Sequence, residues 1–174
     1  MKKILISALF LLFLTSYGHA QAIQKFHEKF KNDSKFICIS IESGLLKLLS
    51  NLEAGDKDSD EFLKAISGIE KINVYKINRE ESSFDAASFQ ALKKDITDEK
   101  FEELMRVKDG KSNLDFMIKE NKGKVSDLIM MVDESDEFFL LTLSGNIDLA
   151  TVSKLSDKID IDGAKHLRKI DNEN

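Results

Sequence analysis

Hydrophobic spacing changes repeatedly along this chain, and each change predicts a new element. Residues 4–14 are an uncharged, largely apolar run. Ile23, Phe26, His27 and Phe30 then follow the i, i+3, i+4, i+7 spacing of one helix face. Asn32-Asp33-Ser34 breaks that helix. Lys35 to Ile41 is β-rich and almost continuously apolar, the pattern of a strand covered on both faces. Leu45, Leu48, Leu49 and Leu52 return to helical spacing, and polar residues 53–60 predict a loop. Phe62, Leu63 and Ile66 mark a short helix ended by Gly68, and Ile69 to Ile77 reads as a second strand.

In the second half, Ser82 is expected to open a helix, with Asp85 three residues later as its capping partner. Phe89, Leu92 and Ile96 form the buried stripe of that helix. From Phe101 the period becomes two. Phe101, Met105 and Val107 are expected to face one way, and Glu102, Arg106 and Lys108 the other. Asp109-Gly110 is a hairpin signal. Leu114, Phe116 and Ile118 alternate with Asn113, Asp115 and Lys119 in the strand that follows. Asn121-Lys122-Gly123 turns into Val125–Val132, and the acidic stretch from Asp133 to Asp136 turns into Glu137–Leu143. Turns this short leave no room for crossover helices, so the four strands form an antiparallel meander. Its last two strands are apolar on both faces and belong inside the sheet. Asp148 is placed to cap a closing helix with Leu149, Val152 and Leu155 as its stripe, broken at Gly163. The sum is one α+β domain over residues 21–174, with about six strands and helices packed on the sheet.

The chain's N-terminus adds a compartment. Lys2 and Lys3 precede the apolar run, which falls short of the roughly 20 residues needed to span a bilayer. Gly18-His19-Ala20 then presents small residues at a signal cleavage site. Residues 1–20 therefore read as an export signal cut before Gln21, leaving the rest periplasmic or secreted, with no transmembrane segment. No cysteine ends the apolar run, so no lipid anchor is expected.

Loss of residues 1–20 removes two lysines and no acid, leaving 24 basic groups against 31 acidic ones and a net charge of −7. Nucleic-acid binding, which depends on Lys and Arg neutralising phosphates, is disfavoured by that balance. The acids are scattered, as on a surface that keeps a protein soluble. Cys38 is the only cysteine, so no intramolecular disulfide is available. Set between Ile37 and Ile39, it is expected to be free, buried and inert. The absence of proline removes a common source of slow folding.

Two blocks carry a family resemblance. Phe101-Glu102-Glu103-Leu104-Met105-Arg106-Val107-Lys108-Asp109-Gly110 is one, and Ser144-Gly145-Asn146-Ile147-Asp148-Leu149 followed by Ser153-Lys154-Leu155 is the other. Together they resemble the exported Bacteroidetes proteins known as domain of unknown function 4252. The resemblance spans about Ala22 to Gly163. It implies an envelope protein and carries no activity with it. Some relatives are lipoproteins, from which this chain departs in lacking the acylated cysteine.

Recognisable chemistry is sparse. Asp56, Asp58 and Asp60 have the spacing of the first calcium-loop ligands, but Glu61 and Ser67 stand where that loop needs glycine and a bidentate glutamate. Asp160, Asp162 and Gly163 fail likewise, because Lys158 and Lys169 would repel a cation. Asp133, Glu134, Asp136 and Glu137 suit a solvated turn, although clustered carboxylates can raise a pKa or hold a metal. His27 and His166 lack partners at zinc-ligand spacing, and His27 reads as a half-buried packing residue. Cys38 with a histidine is a conceivable nucleophile pair, which burial would silence. No nucleophile elbow or phosphate loop occurs. Paired carboxylates for sugar cleavage remain open, since spacing along the chain does not give their separation.

No catalytic residue, metal ligand or cofactor site is therefore assigned. The expectation is a non-enzymatic envelope protein that binds a partner protein or small ligand, or serves as structural support. The alternative is a carboxylate-based hydrolase or carbohydrate-processing enzyme. Intact mass of protein recovered from the envelope fraction should correspond to a chain starting at Gln21; retention of Met1–Ala20 would refute the cleavage.

Overall fold

A computed structural model describes residues 21–51, 59–60, 63, 66–80, 82–110 and 112–147. In chain order the elements are α1 (Gln21–Phe30), β1 (Phe36–Glu42), α2 (Ser43–Ser50), β2 (Ile69–Asn78), α3 (Ala86–Asp98), β3 (Glu102–Asp109), β4 (Ser112–Asn121), β5 (Lys124–Asp133) and β6 (Glu137–Ile147). Ser59, Asp60, Leu63 and Ile66 also have helical backbone. The six strands form one antiparallel sheet in the order β1-β2-β6-β5-β4-β3.

The meander is present as its turns predict. Lys122 (φ 54°) and Gly123 (φ 75°) both take positive φ between β4 and β5, the requirement of a tight two-residue hairpin. The following strands, β5 and β6, occupy the middle of the sheet. Phe138 and Leu140 of β6 face the side covered by α1 and α3, in a core with Phe26, Phe30, Phe84, Phe89 and Ile96. Leu143 faces the other side, in a cluster with Leu46 of α2, Ile66 and Leu128. A third cluster on that second side, centred on Leu114, Met130, Val132 and Phe139, draws all its members from strands.

Several expectations change. Lys35–Ile41 was expected to be covered on both faces, but β1 is an edge strand whose Ile37, Cys38, Ile39 and Ser40 are exposed. A continuous apolar run marks an interior strand only when neighbours exist on both sides, and β1 has β2 alone. In α2 the buried residue is Leu46; Leu45 and Leu48 point to solvent. With four leucines crowded over five positions, several phases of the helix satisfy the spacing. The third helix starts at Ala86, capped by Asp85, whose carboxylate accepts the Ser88 N–H at 2.8 Å. Ser82 lies before it and donates instead to Asp33. That carboxylate also accepts from the Ser83 and Lys35 N–H groups, which hold its pKa down to about 2.

Phe101 does not share a face with Met105 and Val107. It packs in the core under α1 and α3, whereas they join the strand-only cluster on the opposite side. A β-bulge between Glu103 and Met105 shifts the register there and inverts the alternation. Asp115, expected at the surface, is 1% exposed; it accepts from Lys93 Nζ at 2.6 Å and from Arg106 Nε at 2.7 Å. The export signal, the loop residues Asp56 and Asp58, and everything from Asp148 onward lie outside the described residues. Among the described residues no helix is long and apolar enough to cross a membrane.

Leu140 is fully buried in the centre of the sheet. Its truncation to alanine should cost about 2–5 kcal/mol, read as a lower denaturant midpoint; a midpoint within error of wild type would refute a central β6.

Candidate functional site

A concavity follows from a change of chemistry along one face of the sheet. The register sets Tyr75 beside Leu140 and Ile77 beside Phe138, an apolar half that α1 covers with Ile23, Phe26 and Phe30. Further along the same strands the side chains turn polar. Ser40, Asn73 and Thr142 stand in one row across β1, β2 and β6, and Glu42, Lys71, Ser144 and Asp127 form the next row across β1, β2, β6 and β5. Polar side chains gain nothing under an apolar helix face, and α1 leaves this half open. A groove of about 420 Å³ results. Ile23, Gln24, His27 and Glu28 of α1 line it along with Cys38, Tyr75, Phe101 and all of the polar rows except Glu42.

The wall is firmly placed. Lys25 pairs with Asp95 at 2.6 Å and Lys29 donates to Ser88 at 3.1 Å, tying α1 to α3. The Phe26 ring meets those of Phe30, Phe36, Tyr75, Phe84 and Phe138 at centroid distances of 5.2–6.0 Å. On the floor, Ser40 Oγ donates to Asn73 Oδ1 at 2.7 Å, and Asn73 Nδ2 donates to Thr142 Oγ1 at 3.1 Å. The Asn73 amide is thus held in one orientation. Lys71 pairs with Glu42 at 2.6 Å, and Asp127 accepts from Ser126 Oγ at 2.8 Å.

Electrostatics limit what the groove can do. Burial pushes the Tyr75 phenol well up, keeping it a neutral hydrogen-bonding group. Its ring stacks on Phe36 at 5.7 Å, and the half-buried His27 lies 6.0 Å from both rings. Cys38 and His27 therefore line one groove, which spacing in the chain does not reveal. Desolvation by its neighbours nevertheless raises the Cys38 thiol, only partly offset by Lys71, so the nucleophilic thiolate is suppressed. That thiol is exposed rather than buried, a correction that follows from the edge position of β1. Two acids line the groove, Glu28 and Asp127. The 2.6 Å hydrogen bond from Lys31 lowers the Glu28 pKa and holds it ionised.

The other acids singled out in the sequence lie elsewhere. Asp133 pairs with Arg79, and burial raises its pKa in spite of that partner; Glu137 pairs with Lys76 at 2.6 Å. Among the described residues no three His, Cys, Asp or Glu side chains gather as a metal cluster. Asp160, Asp162 and His166 lie outside the described residues. The groove-floor residues Ser40, Asn73, Thr142 and Ser144 escaped the sequence reading. Their one signal was a polar position recurring at period two inside strands otherwise rich in apolar residues.

A family model described as a domain of unknown function, DUF4252, matches residues 30–155. The chain belongs to the DUF4252 family. The DUF4252 match starts at the last residue of α1 and contains every strand of the sheet, so the polar floor lies wholly within it. The wall, by contrast, is built mostly from residues ahead of the match. Both resembling blocks fall inside it, one forming bulged β3 and its turn, the other beginning at the end of β6. No curated protein and no solved structure matches the chain.

Cys38 should react with a maleimide in the native protein, because it is exposed. At neutral pH it should react more slowly than in the unfolded chain, since its pKa is raised, and the gap should close as pH rises past that pKa. Complete protection of the native thiol would restore the buried reading.

Proposed function

We propose that this DUF4252 chain is an exported, non-enzymatic envelope protein that holds a small polar ligand in the groove between α1 and the sheet. One observation carries the reading. Three neutral hydrogen-bonding side chains, Ser40, Asn73 and Thr142, are fixed in a row across three strands at the floor of an open concavity. Binding sites combine apolar walls with a few oriented polar groups in this manner. Here the apolar component is Ile23, Phe101 and the Tyr75 ring. The chemistry suits a neutral ligand bearing hydroxyl or amide groups. Export is supported by the order of Lys2-Lys3, the apolar run and Gly18-His19-Ala20. With no cysteine following that run, the protein would be released without a lipid anchor into the periplasm or beyond.

The presence of Glu28 and Asp127 in the same groove favours a second reading, a carboxylate-based hydrolase. Such an enzyme needs one carboxylic acid held protonated near neutral pH to serve the leaving group. Glu28, its pKa lowered by Lys31, is unsuited to that role. Binding is therefore preferred.

Titration of isotope-labelled protein with a panel of mono- and disaccharides, amino acids and short peptides tests this. A binder should perturb the amide signals of Asn73 and Thr142. Asn73→Leu, which deletes both donor and acceptor, should then weaken it about tenfold or more. Unchanged affinity in that variant would refute the site. Turnover of any compound that disappears in Asp127→Asn would put the hydrolase in its place.

A further inference from the structure

The two edges of the sheet are treated differently. At the β3 edge stand Glu102, Glu103, Arg106, Lys108 and Asp109, and a β-bulge interrupts the register. Charges and bulges are the devices by which exposed edges avoid pairing with other strands. The β1 edge has no bulge, and its charges stand only at its ends. From Phe36 to Ile41 no residue is charged, and the register with β2 runs unbroken over all seven residues. Ile37 is 54% exposed and Ile39 52%. Of the large exposed hydrophobics among the described residues, every one except Leu104 lies on β1 or on α2 directly after it. An unguarded edge beside an apolar patch is the signature of an interface.

We infer that β1 pairs antiparallel with β1 of a second copy of this chain, joining two sheets into one across a two-fold axis. The hydrogen-bond phase permits it. The Lys35 carbonyl accepts from the Asn78 N–H of β2, so Lys35, Ile37, Ile39 and Ile41 turn their backbone groups inward and Cys38 and Ser40 turn theirs outward. Full overlap of the strand with itself centres on Ile39. Cys38 then exchanges both backbone hydrogen bonds with the second copy's Ser40. A two-fold axis perpendicular to the sheet keeps each face on its own side. Ile39 therefore meets the second copy's Ile39, and Ile37 meets the second copy's Ile41, on the apolar face. On the other face only small neutral side chains, Cys38 and Ser40, come together at the centre. Antiparallel pairing also brings Lys35 of each copy to the end where the second copy's Glu42 stands, so charges of opposite sign meet at both ends. The same strand paired parallel would set like ends together. This self-complementarity in shape and charge selects a second copy as the occupant, and it does not depend on what the groove binds.

Light scattering across a concentration series, on the protein as recovered from cells, should give the mass of two copies. Ile39→Lys places a charge on the two-fold axis at a position already half exposed, so it should give one copy with an unchanged circular dichroism spectrum. Register is read by cysteine placement. In the non-hydrogen-bonded pair at residue 39 the Cα atoms stand about 4.5 Å apart, within disulfide range. The double variant Cys38→Ser/Ile39→Cys should therefore oxidise to a covalent dimer, and Cys38→Ser/Ile37→Cys should not. A single-copy mass for the wild type would overturn the proposal. So would a dimer that survives Ile39→Lys, or equal crosslinking of the two cysteine variants.

Discussion

Burial of β6 on both faces is the constraint on which the remaining structure depends. This strand is hydrogen-bonded to β5 along one edge and to β2 along the other. Phe138 and Leu140 require α1 and α3 above them, while Leu143 requires α2 and Ile66 below. Each buried side chain of this size contributes about 1.5–3 kcal/mol relative to exposure. That gain holds only if the helices take these sides, so β6 orders the layers. The same strand also opens the groove: beyond Leu140 its side chains on the α1 face become Thr142 and Ser144, and the helix has nothing apolar left to cover.

A second constraint acts through charge. Asp115 is a carboxylate placed where water does not reach, between Lys93 of α3 and Arg106 of β3. Withdrawing such a group from water is costly unless its oxygens are fully engaged, and removal of one partner leaves an uncompensated charge. The pair therefore fixes how α3 lies over β4 more strictly than apolar contact would, because a shifted helix would strand the carboxylate. Arg79 and Asp133 make a comparable join between the end of β2 and the end of β5, with the guanidinium also 5.3 Å from the Phe84 ring centre.

What was legible in the sequence was local. Period-two spacing and tight turns specify the meander, and doubly apolar strands identify β5 and β6 as interior, because both signals act over a few residues. The failures are long-range or depend on a single residue. Periodicity cannot separate the apolar β1 from an interior strand, since the difference is whether a neighbour comes to its far side. The bulge at Leu104 is one inserted residue, and it reverses which face Phe101 shares with Met105. Asp115 reads as an ordinary outward position until Lys93, brought in from α3, meets it. The groove was illegible for the same reason: Ser40, Asn73 and Thr142 become neighbours only through register across three strands distant in the chain.

The strand order also dictates a sequence of events in time. A chain made from its N-terminus delivers β1 and β2 first, but the strand that pairs with β2 on its inner side is β6, the last strand among the described residues. The intervening elements must all emerge before the two halves can zip together. Until then the inner edge of β2 and the ring-rich underside of α1 stay open to any passing strand or apolar surface. Completion is thus gated by the arrival of β6, and a chain stopped short of it would be left as two unjoined half-sheets.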